Sequence, residues 1–505
     1  MLKRISLFLI LTAILSISLP HAALADSFED SLKQFETYAK KGMKEWKVPG
    51  MSIAVVKGDK VVYAKGFGTK RAGTNRPVTP DTIFQVGSTT KAFTVALMAT
   101  LVDEGTVGWD DRVVDHFPGF MMYDPWVTRE FRIHDLFAQH SGMPFYAGDL
   151  QCFIGFDRDH IIKSMRYIKP TYSFRDKFSY VNNLFVAGAK VEELQTGKSW
   201  ETLIHERILN PLGMNRSSVD EAGLTKVENG SDLHELVNGK AQPIKHGSMN
   251  LNWPYVYGPA GGLNSSALDM AKWVTAQKNG GVVGKTRIFS QESADYMHMP
   301  KTPVKVGEFH GSYAQGWMKT HLKKTTMIWH NGGTSGICSI VAFSPDLDLG
   351  LIVLTNLGHH KLADALGLQF FEMMSGNEDA DWNEQFMDDE KKAEEEQSKA
   401  EKAKQTPELP GLPLEAYAGK YQSPIYGDLT VYAEKKSLMI RLGSTQQINI
   451  KVTHRTMNTF AGDWLAMDPN DPEYHFDFTV NGEGDATAVT IREFNQDGTL
   501  TFTRQ

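Results

Sequence analysis

Apolar residues recur along this chain with two different periods. Phe28, Leu32, Phe35, Tyr38 and Trp46 fall mostly at helical spacing and predict an amphipathic helix. Ser52–Val56 and Val61–Ala64 are short apolar runs with the turn residues Lys57-Gly58-Asp59-Lys60 between them, which predicts a β-hairpin. Ala92, Phe93, Val95, Ala96, Leu97, Met98, Leu101 and Val102 leave no clear polar side and predict a buried helix that ends near Gly105. A mostly helical and loop region runs on to about residue 300. Strands are expected again at Met327–Trp329, Ile340–Phe343 and Gly350–Leu354. Strands at both ends with helices between them suggest one sheet closed by the two ends of the domain, around a helical insert. Further on, Leu438–Leu442 and Phe476–Val480 have strand periods, and Asn481-Gly482 and Asp497-Gly498 mark turns of a second, all-β domain. No internal repeat is visible.

Composition narrows the class. With 505 residues, 41% hydrophobic and 22% charged, the chain reads as globular, and its length suggests two to four domains. A net charge of −7 argues against a nucleic-acid partner. Lys3 and Arg4, the apolar stretch Ile5–Leu19, Pro20 and Ala23-Leu24-Ala25 follow the order of a secretory signal peptide, with cleavage expected after Ala25. That stretch is shorter than the ~20 residues of a spanning helix, so an exported protein, periplasmic or secreted and of bacterial type, with no stable membrane span is expected. Loss of residues 1–25 would leave 51 basic against 60 acidic residues, a charge of −9. From Glu378 to Lys404 acidic, basic and Gln residues dominate, which predicts a solvated helical or partly disordered linker ended by Pro407 and Pro410. The expected domains are thus 26–377, a linker at 378–410 and a β domain at 411–505. Cys152 and Cys338 lie in no metal-ligand spacing and are expected as free, buried thiols.

Candidate chemistry begins at Ser88-Thr89-Thr90-Lys91, where the apolar helix starts. Positions three apart share a helix face, so the Lys91 amine can reach the Ser88 hydroxyl. A serine needs a base to become a nucleophile, and a lysine can be that base once burial lowers its pKa. Taken alone, such a pair also fits a solvated helix start. Tyr180-Val181-Asn182 places a phenol and an amide on one side of an extended loop, able to relay protons and to hold a substrate carbonyl or NH. His330-Asn331-Gly332-Gly333 follows a strand, and its glycines would let a substrate lie against the strand edge and a backbone NH point at it. Tyr257–Leu263 reads as a tight loop before a helix capped by Ser265 or Ser266. His134 and His140 near Asp135 are read as structural rather than as a metal site, and His359-His360 as surface residues after a strand. No metal or other cofactor is expected.

Ser-x-x-Lys, Tyr-x-Asn and His-x-Gly in this order resemble the serine β-lactamase and penicillin-recognising family, and Tyr-x-Asn resembles its class C branch. Phe131–Pro144 and Pro259-Ala260-Gly261-Gly262-Leu263 look like that branch too, and the likeness covers roughly residues 28–375. The β domain looks like the lipocalin-like domain carried by some peptidases and esterases of the group. The resemblance implies an α+β fold, an antiparallel sheet flanked by helices with a mostly helical insert, plus a small all-β barrel. It implies Ser88 as the acylated nucleophile, Lys91 as its proton acceptor, and Tyr180 as shared base and donor to the leaving group. Asn182, His330 and Gly332 would bind substrate, and the NH groups of Ser88 and Gly333 would form the oxyanion hole. The departure is His330, where β-lactamases of the branch carry a lysine for the substrate carboxylate. That favours a small amide, peptide or ester as substrate over a β-lactam, with a true β-lactamase or D-alanyl-D-alanine carboxypeptidase as the alternative. A non-catalytic binder of cell-wall fragments is the rival of another class, and the absence of Gly-x-Ser-x-Gly sets aside a Ser-His-Asp hydrolase. The resemblance leaves oligomeric state open.

Overall fold

The computed structural model describes residues 19–244, 249–306, 309–377, 379–403, 409, 411–462, 474–493 and 500–505. The expected leader at 1–25 lies outside these residues except for the backbone that begins α1 (Leu19–Glu45). So does the expected Asp497-Gly498 turn.

After α1 come the hairpin strands β1 (Gly50–Lys57) and β2 (Lys60–Gly68). The insert carries helices α2 (Lys91–Asp103), α3 (Asn183–Thr196) and α4 (Ala267–Lys278). Six strands return: β3 (Thr302–Val306), β4 (Phe309–Tyr313), β5 (Met318–His321), β6 (Thr326–Thr334), β7 (Ile337–Ser344) and β8 (Leu349–Thr355). Helix α5 (Leu362–Met374) follows them. The sheet runs β2-β1-β8-β7-β6-β5-β4-β3. It is antiparallel throughout, and β1 meets β8 with Ile53 opposite Val353. The two ends of the domain therefore do close one sheet.

The central strands read as unbroken apolar runs because both faces are covered. Ile53, Val55, Ile340, Ala342, Leu351 and Val353 pack under α1 and α5, where Phe35 meets Phe370 edge-on at 5.0 Å. Their chain neighbours Ala54, Val56, Val341, Phe343, Ile352 and Leu354 belong to the opposite core with α2 and α4, where Phe93 stacks on Trp273 at 3.9 Å. Successive side chains alternate between the faces of a strand, so each run fills two cores at once. Edge strand β2 is largely exposed and carries Lys60 and Lys65, charges that discourage pairing with another chain.

Helix α6 (Trp382–Ala403) occupies the expected linker in two parts. Its start is docked: Tyr38 Oη donates to Asp381 Oδ1 (2.7 Å), Trp46 Nε1 donates to Asn383 Oδ1 (2.7 Å), and Trp382 and Phe386 pack beside α1 and α5. From Asp388 to Glu396 every residue is exposed.

The C-terminal strands are β9 (Gly419–Ser423), β10 (Gly427–Glu434), β11 (Ser437–Leu442), β12 (Ile448–Thr456), β13 (Thr459–Gly462), β14 (Tyr474–Val480), β15 (Ala486–Ile491) and β16 (Thr501–Arg504). They form a closed barrel, sealed where β9 pairs with β16. Its core is continuous with that of the first domain. Ser444 N donates to Ile154 O (2.9 Å), and the His160 ring, stacked on Phe156, meets Ile425 O at 2.9 Å.

Three local expectations change. Ser88 sits in a 3₁₀ turn (Gly87–Thr90), and the α-helix begins only at Lys91. His360 is buried, not superficial: it meets Thr355 Oγ1 at 3.0 Å and accepts from Leu362 N, because His359 turns the chain inward at φ 55°. Both cysteines are free, but Cys338 is only partly buried.

Candidate active site

The site forms where the Ser88 turn meets β6 and the start of α3. Gly87 opens the turn at φ 55°, a left-handed conformation that favours glycine. A Cβ on Gly87 would stand 2.7 Å from Gly333 N, so the turn and the strand edge touch backbone to backbone. Gly332 is equally constrained, since its Cβ would lie 2.0 Å from Val86 O. Thr334 Oγ1 donates to Gln85 Oε1 (2.8 Å) and Ser339 Oγ donates to Val86 O (2.9 Å), fastening β6 and β7 to the segment before Ser88. Gly333 itself is exposed, with nothing within 4 Å of a hypothetical Cβ. The Gly333 backbone therefore borders open space beside the Ser88 turn, where an oxyanion donor would be needed.

Lys91 is fully buried, and its Nζ lies 3.1 Å from Ser88 Oγ, 2.7 Å from Asn182 Oδ1 and 2.8 Å from Ala260 O. Burial lowers its pKa to about 7, against a smaller upward pull from Asp149. Two of its partners are carbonyl oxygens that can only accept; the third is a hydroxyl that can also donate. A neutral amine has two protons and one lone pair, so the pattern leaves the lone pair for the Ser88 proton. The Tyr180 ring centroid is 4.7 Å from Lys91 Nζ. Burial and the neighbouring Tyr313 push the Tyr180 phenol well up, opposed by its hydrogen bond with Ser88. Lysine is thus pushed towards its neutral form and tyrosine kept protonated, which separates a base from an acid.

Asn182 precedes α3, accepts from Lys91 and donates Nδ2 to Asp149 Oδ2 at 2.6 Å. His330 differs from expectation. Burial, with Lys91 nearby, lowers its pKa to about 3, so it is neutral near pH 7. Its Nδ1 meets Asn331 O at 2.6 Å and its Nε2 meets Tyr313 Oη at 3.1 Å. No ring nitrogen is left for a substrate carboxylate. Tyr313 also neighbours Tyr180 and Phe178, at ring distances of 6.5 and 5.5 Å. Tyr146, 5.6 Å from Tyr180, and Phe145, 5.6 Å from Phe178, continue this aromatic rim and are 58% and 39% exposed.

Sequence reasoning missed three contributors. Ala260 O was hidden in a loop that carries part of the resemblance but was given no chemical role; its reading as a tight loop before a capped helix holds, since Ser266 caps α4 by accepting from Asp269 N. Tyr313 lacks any motif. Asp149, with its pKa raised by burial to about 7, precedes a short apolar turn and looks like an ordinary cap. Elsewhere, His134 and His140 surround Asp135 together with Arg175, whose Nε and Nη2 donate to it at 2.8 and 2.6 Å. Among the described residues no group of three His, Cys, Asp or Glu side chains is placed to hold a metal.

The chain matches the family described as Beta-lactamase over residues 35–369 and a domain of unknown function (DUF3471) over residues 403–504. It is 29% identical to an unguisins hydrolase of Aspergillus campestris, over 82% of this chain and 80% of that protein. It is 28% identical to penicillin-binding protein 4 of Amycolatopsis lactamdurans, over 62% of this chain and 82% of that protein. The octameric penicillin-binding protein homologue from Pyrococcus abyssi shares the fold, with a TM-score of 0.61, 23% identity, and 91% and 97% of the two chains covered.

Proposed function

The chain belongs to the Beta-lactamase family, and on that basis we propose that it is an exported serine hydrolase cleaving a small amide, peptide or ester through an acyl-enzyme on Ser88. One observation carries this reading: buried Lys91 has two carbonyl acceptors and, as its third partner, the Ser88 hydroxyl at 3.1 Å. Neutral Lys91 takes the Ser88 proton as Oγ attacks the substrate carbonyl carbon. The NH groups of Ser88 and Gly333 receive the developing oxyanion. Tyr180 gives its proton to the departing nitrogen or oxygen as that bond to carbon breaks, and Lys91 returns the proton to Tyr180. Water then attacks the ester carbonyl, gives up a proton to the same relay, and Ser88 leaves with a proton restored.

Asn182 supports substrate orientation, because Nδ2 has a second proton beyond the one given to Asp149. Neutral His330, with both nitrogens engaged, and the aromatic rim favour an apolar acyl group over a carboxylate-bearing β-lactam. The test is labelling with a fluorophosphonate and, separately, with a fluorescent penicillin, beside Ser88→Ala. The proposal expects phosphonate labelling that Ser88→Ala abolishes. Labelling by neither reagent contradicts it, and strong penicillin labelling would restore the β-lactam alternative. Export through residues 1–25 is checked by the N-terminus of the protein recovered from a bacterial host, expected at Asp26.

A further inference from the structure

Asp149 belongs to none of the motifs, yet it stands directly behind the centre. Asn182 bridges the two: Lys91 Nζ donates to Asn182 Oδ1 (2.7 Å), and Asn182 Nδ2 donates to Asp149 Oδ2 (2.6 Å). An amide can be turned either way round, and only an acceptor at Nδ2 fixes Oδ1 towards the lysine. The other carboxyl oxygen, Asp149 Oδ1, is buried without a hydrogen-bond partner. The Tyr257 hydroxyl stands beside the carboxyl and pulls its pKa down, but its one proton is directed to Asn183 Oδ1 at 2.6 Å. A buried acid left half-satisfied is costly, and such a cost points to a role beyond packing.

We infer that Asp149 is a positioning residue of the Ser88–Lys91 centre: it fixes the Asn182 amide and, through it, orients and counter-charges Lys91. The arrangement is a nucleophile, a base and an orienting acid, with an amide inserted between base and acid. This inference rests on Lys91 serving as the base of Ser88. When Lys91 takes the serine proton, the new ammonium faces a carboxylate across one amide instead of an apolar wall.

The surroundings isolate this pair. Cys152 from the short turn after Asp149, Tyr257 from the loop before α4 and Tyr180 before α3 are all pushed up by burial, Tyr146 from the preceding loop is pushed up as well, and all four stay protonated near neutrality. His330 on β6 is pushed down and stays neutral. Lys91 and Asp149 are thus the two groups of the cluster that change charge near neutral pH.

The test uses the full chain and reads coupling in both directions, since such coupling is reciprocal. Asp149→Asn keeps the shape and removes the charge that raises the Lys91 pKa. The acidic limb of kcat/KM should therefore move down by about one pH unit, with a lower kcat. A folded Asp149→Asn protein whose acidic limb does not move overturns the inference, because a merely structural residue would change rate or stability alone. Should that variant not fold, ¹³Cγ-aspartate labelling of the otherwise unaltered protein decides. One carboxyl should titrate near neutral pH, and Lys91→Met should move that titration upward. A titration that ignores Lys91→Met, or no aspartate titrating above about pH 6, overturns it as well. The NMR measurement does not depend on turnover, so its failure is distinct from a failure of the acyl-enzyme reading.

Discussion

Ser88 Oγ and Lys91 Nζ lie 3.1 Å apart although they belong to different helical forms, the serine to a 3₁₀ turn and the lysine to the first position of α2. The tighter turn brings residues i and i+3 nearly into line. It also keeps Ser88 at the cleft while Lys91 enters the core, so one partner meets substrate and the other is stripped of water.

Removing the lysine should separate chemistry from folding. Lys91→Met leaves Ala260 O and Asn182 Oδ1 without their donor, at a cost of about 1–3 kcal/mol in stability. It should lower kcat/KM for an activated ester by roughly 10²–10⁴. Thermal unfolding alongside steady-state kinetics checks both, and an active Lys91→Met enzyme would refute the base.

The pH dependence follows from the two shifted groups. Lys91 works as the free amine, so activity is present above its pKa and is lost as pH falls through about 7. Tyr180 works as the protonated phenol and is pushed up, so no alkaline limb should appear below about pH 10. A kcat/KM profile falling between pH 7 and 9 would contradict this assignment.

The two adjacent glycines of β6 should respond oppositely. Gly332→Ala places a methyl group 2.0 Å from Val86 O, and should cost about 1–3 kcal/mol as the strand is forced off the Ser88 turn. Gly333→Ala meets nothing within 4 Å, so stability should hold while the methyl group narrows the cleft and raises KM. Thermal unfolding of the two variants beside each other checks the contrast.

Asp135 should carry acid stability. Burial alone would raise its pKa, but Arg175, His134 and His140 outweigh it and hold the carboxyl well below its ordinary range. A carboxyl lowered on folding adds stability that is present above its unfolded pKa of about 3.9 and is lost as pH falls towards the folded one. Asp135→Asn should cost about 1–3 kcal/mol at pH 7, because Arg175 loses the carboxylate but is partly exposed and keeps Glu130 O. The loss should shrink below about pH 4, as denaturant unfolding at both pH values would show.

How much was legible in advance depended on where the information lies. The short apolar runs at Ile53-Ala54-Val55-Val56 and Ile340–Phe343 with turn residues beside them are local, so the strands were readable, whereas the covering of both their faces emerged only in the assembled sheet. Ser88, Lys91, Tyr180, Asn182 and the Gly332-Gly333 pair could be singled out because their short patterns, weak one by one, together and in this order resemble a known family. Asp149 and Ala260 were not, since what matters is a carboxyl and a carbonyl reaching Asn182 and Lys91 across the fold. His330 could be located but its charge could not, because burial decides it and burial is a property of the assembled sheet. His360 was misjudged because a single positive φ at His359 turns it inward.

The central claim is that Ser88 forms the covalent intermediate, and the most direct measurement is mass spectrometry of acid-quenched enzyme after brief mixing with an activated aromatic ester. The account predicts one added acyl mass, located on the peptide containing Ser88, absent from Ser88→Ala and much reduced in Lys91→Met. Hydrolysis of the ester with no adduct at any quench time, or an adduct on another residue that survives Ser88→Ala, would contradict it.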